Sequence, residues 1–137
     1  MTTVADYIAV QDSSTTLVLF GKPPPTIPDV PDAHGFATFD APSLHSSSRP
    51  VLTFRVNPQL PNGGSITVTF LLNGEIVSDQ LFNTDINRSW QEIFDAGILQ
   101  EEDNVLVVNA SAADDDDRDK GCEVVISDVV IFYKRDI

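Results

Sequence analysis

The chain has 137 residues, the size of one domain with a core of its own over 1–137, and its 21 acidic against 8 basic residues give a formal charge of -13. Such a surface repels nucleic-acid phosphates and anionic membranes, so neither nucleic acid nor membrane insertion is expected. Cys122 is the only cysteine, which excludes an intrachain disulfide and paired-cysteine metal or redox motifs. No apolar run approaches the roughly 20 residues of a bilayer span, and the first ten residues lack a basic segment followed by an apolar one. The expectation is a soluble chain without a classical signal peptide, cytoplasmic by default.

In chain order, residues 15–21 (TTLVLFG) are β-branched and apolar and predict a strand ending at Gly21. Five prolines between Pro23 and Pro31 follow, removing backbone donors and fixing φ, so residues 22–35 read as an extended crossover. Residues 35–39 (GFATF) predict a short strand, and the serine-rich stretch from 43 to 50 a polar connection. In residues 51–57, Leu52, Phe54 and Val56 alternate with Thr53 and Arg55, the period of a half-buried strand. Pro58, Pro61 and Asn62-Gly63-Gly64 predict the turn after it. Ile66, Val68 and Phe70 then alternate up to Asn73-Gly74, the dipeptide that supplies two positive φ angles to a type I′ hairpin.

Trp90, Glu92 and Phe94 alternate and Gly97 interrupts, which predicts a strand leading into a tight helical turn. Residues 104–111 (NVLVVNAS) and 122–134 (CEVVISDVVIFYK) are dense in β-branched residues, and the second is long enough to bulge near Ser127 and Asp128. About eight short strands with almost no helix imply an all-β protein, an antiparallel β-sandwich. The long proline- and serine-rich connections favour a jelly roll over a meander.

Trp90, Leu99, Asn104, Leu106, Asp128 and Val130 occur in an order that resembles the closing strands of galactose-binding-like jelly rolls, including carbohydrate-binding modules. The resemblance covers about 50 residues. It departs from the usual pattern at Glu102 and Asp103, where glycine is common, and the first half of the chain has no counterpart. It implies a binding role, commonly for sugars, at loops or on a sheet face, with a structural calcium in many members.

The candidate site residues follow from chemistry. Aromatic rings stack on the apolar faces of sugars, which nominates Trp90, Tyr7 and Tyr133 as ligand-binding residues, with Tyr133 partly exposed at the end of its strand. The plainer reading of Trp90 is a core residue, and Phe20, Phe54, Phe70 and Phe132, lying in apolar runs, are assigned to the core. The segment from 112 to 121 (AADDDDRDKG) holds five aspartates. Ca²⁺ takes six to eight oxygen ligands, and Asp115, Asp117 and Asp119 at alternate positions, with Glu123 nearby, are its candidate ligands. Lys120 stands where an EF-hand needs glycine, so an EF-hand is excluded, and a solvated hairpin loop is the plainer reading. His34 and His45 form no zinc-binding spacing, Gly-x-Ser-x-Gly is absent, and no carboxylate pair stands out among so many. The expectation is therefore a non-catalytic jelly-roll module for carbohydrate or a similar polar ligand, assisted by Ca²⁺. The alternative is a structural or assembly sandwich subunit working through protein contacts, including contacts in a homo-oligomer.

Overall fold

The computed structural model describes residues 2–11, 13–18, 32–95, 97–112 and 120–137. The aspartate run from 113 to 119, with Asp115, Asp117 and Asp119, and most of the proline-rich crossover lie outside them.

Nine strands are described: β1 (Thr3–Gln11), β2 (Thr15–Val18), β3 (Asp32–Gly35), β4 (Val51–Gln59), β5 (Ile66–Leu72), β6 (Glu75–Phe82), β7 (Arg88–Ile93), β8 (Leu106–Ser111) and β9 (Glu123–Asp136). One sheet runs β1-β9-β4-β7, with β2 also beside β9, and the other runs β3-β8-β5-β6. Every pairing is antiparallel. The architecture is a two-sheet β-sandwich jelly roll.

Period-two alternation builds its core. Leu52, Phe54 and Val56 of β4 and Val124, Ile126, Val129 and Ile131 of β9 are buried, as are Ile66, Val68, Phe70 and Leu72 of β5 and Leu106, Val108 and Ala110 of β8. The Phe54 and Phe70 rings meet at 4.5 Å and join the two sheets. Asn73 and Gly74 adopt φ of 52° and 85°, and the predicted type I′ hairpin closes β5 onto β6.

Strand β9 is the axis of the first sheet. Its residues 123–126 pair with β2 and its residues 129–136 with β1, while β4 runs along its other side. The ladder shifts register between these halves, where Asp128 takes a φ of 52°. This is a β-bulge at the predicted place.

Three boundaries differ from expectation. Strand β1 was not foreseen, because Asp6 interrupts its inward series Val4, Ile8 and Val10; there Asp6 Oδ2 pairs with Arg135 Nε at 3.1 Å. The strand expected at 35–39 lies earlier, at β3, because β3 pairs with β8 through Gly35; beyond it only Phe39 makes a bridge, to Asn104. Strand β4 continues through Pro58 instead of turning there. The Phe94 N–H donates to Pro50 O at 3.0 Å, so even-numbered residues of β4 turn their backbone groups towards β7. The pairing of β7 with β4 stops at Val56, so Pro58 sits where no neighbouring strand requires its missing donor.

A buried asparagine anchors one end of the sandwich. Asn104 is fully buried; its Oδ1 accepts from Gln100 N (2.8 Å) and Asn73 Nδ2 (3.0 Å). Its Nδ2 donates to Gln100 O (2.7 Å) and Phe39 O (3.1 Å). The side chain ties the β5–β6 turn and the connection into β8 into one unit.

Candidate binding face on the β1-β9-β4-β7 sheet

Residues that alternate with the core series point out of the sheet, and register aligns them into rows. Tyr7 of β1 pairs with Phe132 of β9, Phe132 with Val51 of β4, and Val51 with Ile93 of β7. The result is an apolar row across the whole sheet, with Tyr7 63%, Phe132 45% and Ile93 68% exposed. The two rings lie 6.1 Å apart at 43°. An exposed apolar row across four strands, aromatic on β1 and β9 and aliphatic on β4 and β7, marks a surface for contact.

The rows beside it are mainly small and polar. Ala9, Val130, Thr53 and Gln91 form the next, then Ser127, Arg55 and Ser89, then Val125 with Asn57, and finally Glu123 with Gln59. At that far end Asn57, Gln59, Asp85 and Glu123, with Pro58, Leu60, Pro61 and Gly121, line a cavity of about 280 Å³. Asp85 reaches it from the connection between β6 and β7, where its Oδ1 accepts from Leu60 N at 2.8 Å.

The nominated residues divide between faces. Tyr7 lies on the exposed row, and Glu123 lies on the same face at the cavity. Trp90 points the other way: it pairs with inward-facing Phe54, meets the Phe82 ring edge-on at 5.6 Å, and donates from Nε1 to Glu92 Oε1 at 2.8 Å. Gln80 donates to that same oxygen at 3.0 Å, so the indole helps close the gap between β7 and β6. Tyr133, expected to be partly exposed, is only 4% exposed. Its hydroxyl donates to Pro42 O at 3.2 Å, and burial, reinforced by the Asp6 carboxylate and opposed by Arg135, raises its phenol above the ordinary value of 10.0.

Phe132, assigned to the core from its apolar run, is instead the centre of the exposed row. The bulge explains both reversals. Before it the even-numbered residues Val124 and Ile126 face inward; after it the odd-numbered residues Val129, Ile131 and Tyr133 do. Carrying the earlier alternation through position 128 puts Phe132 inside and Tyr133 outside. The signal was present in the sequence, in the break between Ile126 and Val129.

Both histidines make contacts within the fold. His34 Nε2 is 3.2 Å from Gln11 Oε1, with its ring edge-on to Phe36, and His45 Nδ1 is 2.6 Å from Asp136 Oδ1. Among the described residues no group of three or more His, Cys, Asp or Glu side chains could hold a metal ion, and no helix is long and apolar enough to cross a membrane.

No protein-family model and no curated protein sequence matches the chain. Solved structures do match. The C-terminal domain of EclA, described as a sugar-binding protein, is 10% identical at a TM-score of 0.53, over 96% of this chain and 79% of that one. Dimeric latent PorU from Porphyromonas gingivalis is 13% identical at 0.53, over 94% of this chain, which spans 13% of PorU. A carbohydrate-binding module, CBM36 in complex with calcium and xylotriose, is 12% identical at 0.43, over 97% and 99% of the two chains. What EclA and PorU share with this chain is the sandwich fold. The resemblance of the C-terminal half is thus borne out in the fold it implied.

Proposed function

We propose that the protein is a non-catalytic jelly-roll module that binds carbohydrate on the outer face of the β1-β9-β4-β7 sheet. The observation that carries this is the exposed cross-strand pair Tyr7 and Phe132, beside rows of hydroxyl and amide side chains. Aromatic faces take the C–H surface of a sugar ring, and the neighbouring Thr53, Gln91 and Ser89 offer partners to its hydroxyls. The EclA domain, described as sugar-binding, has the same fold, which supports the reading. Calcium assistance, expected at Asp115, Asp117, Asp119 and Glu123, is part of this reading, and Glu123 lies on the same face beside the cavity.

The test is calorimetric titration of the protein with a panel of neutral glycans, with calcium and with chelator, against a Tyr7→Ala variant. Loss of one stacking ring should weaken binding at least about fivefold, since an aromatic contact contributes on the order of 1 kcal/mol beyond its buried area. The exposed row also suits protein contact. A chain that binds no glycan but forms a discrete oligomer, dissociated by Tyr7→Ala, establishes the assembly reading instead.

A further inference from the structure

The aromatic row and the cavity lie on one face of one strand. Val51, in the row, and Gln59, at the cavity, both point outward from β4, whose alternation is unbroken between them. Eight residues of strand separate them, about 26 Å at roughly 3.3 Å per residue. Between them the outward positions of β4 are Thr53, Arg55 and Asn57, flanked by Ser89 and Gln91 of β7. On its other flank β9 presents Val130, Ser127 and Val125, so no aromatic side chain interrupts that path.

We infer that the row and the cavity are the two ends of a single binding track along β4, so the ligand is an extended, uncharged polysaccharide chain rather than a single sugar. This rests on the carbohydrate reading and deepens it. The aromatic row alone offers stacking without hydrogen-bonding specificity. The cavity supplies the complement: Asn57 and Gln59 present both donors and acceptors, Asp85 and Glu123 present acceptors, and its volume of about 280 Å³ is near the lower limit of small-ligand pockets. A cavity of that size takes about one sugar unit, the end of a chain whose remainder would lie along β4. The β4 and β7 side of the path is hydroxyl, amide and guanidinium, with only the small aliphatic Val130 and Val125 beside it on β9, which suits a polyol backbone better than the apolar centre of a protein interface. The formal charge of -13 disfavours acidic polysaccharides.

A chain held at one end presents its other end to the second site at high effective concentration, so affinity should rise steeply once the ligand spans both. The experiment uses ladders of neutral cello- and xylo-oligosaccharides from disaccharide to octasaccharide, titrated into the intact protein, Tyr7→Ala, and Asn57→Ala/Gln59→Ala. The expected result is an affinity that climbs at least tenfold between the shortest and longest ligands. The cavity double variant should remove that gain, so that the longest ligands bind no better than the shortest, and Tyr7→Ala should weaken all lengths. Both substituted cavity residues face outward, and an unchanged melting temperature confirms the variant is folded. Length-independent, Tyr7-dependent binding that ignores the cavity variant overturns the track and leaves the module reading standing. Absence of Tyr7-dependent binding at every length overturns both.

Discussion

Replacing Asn104 with alanine tests whether one buried amide holds the end of the sandwich together. Asn104 is fully buried and all four of its hydrogen-bonding positions are filled, two by the backbone of Gln100, one by Phe39 O and one by Asn73 Nδ2. Asn104→Ala leaves the Gln100 N–H and C=O without their partner at a part-buried site and removes the fully buried amide that joins them to Asn73 and Phe39. Each unsatisfied buried group costs about 1–3 kcal/mol, so a total near 3 kcal/mol is expected after some relaxation. Unfolding entropy at this chain length is about 0.3 kcal/mol per kelvin, which converts that loss to a fall of about 10 °C in the melting temperature. Thermal unfolding followed by circular dichroism measures it directly. Asn104→Asp keeps both acceptors but sets a carboxylate against two carbonyl oxygens at neutral pH. It should lose at least as much, and recover part of the loss on acidification as the carboxyl regains a proton. A fall of less than about 3 °C for Asn104→Ala would refute the network's role.

Two further outcomes follow from backbone and burial. Gly74 has a φ of 85° and open space around an added Cβ, so Gly74→Ala carries only the conformational cost; about 1 kcal/mol of stability should be lost in urea titration, with the fold intact. The raised phenol of Tyr133 means that the unfolded chain loses this proton first as the medium becomes alkaline. Its contribution is therefore fully present below about pH 10 and declines as the pH rises through the folded value. Unfolding midpoints measured across that range should fall in the native protein, and less so in Tyr133→Phe.

The strands whose alternation is clean were legible in the sequence. Residues 51–57 and 66–70 carry strong period-two patterns and Asn73-Gly74 marks the turn, and β4, β5 and the hairpin into β6 stand there. Strand β1 was hidden because Asp6 breaks its inward apolar series at a position that meets the distant Arg135. Pairing over more than a hundred residues leaves no local trace. Tyr7 was found from residue type alone, while Phe132 was lost because a bulge of one residue reverses the facing of all that follows. The bulge was foreseen at Ser127 and Asp128, but its consequence for facing depends on counting from the correct side of it. The cavity could not be read at all. Asp85, Asn57 and Glu123 come from three separate stretches, and only the folded register brings them together.

Pro58 and Asp85 also bear on how the chain behaves in a crowded solution. Beyond Val56, β4 outlasts β7, and a strand flank left open in this way is a template on which another chain can pair. The next two donors on the β7 side are both withdrawn: Pro58 has none, and Leu60, just past the strand, gives its own to Asp85 at 2.8 Å. A carboxylate and a ring nitrogen thus close the only part of β4 that its neighbour fails to cover, and intermolecular sheet growth has no donor to start from at that edge.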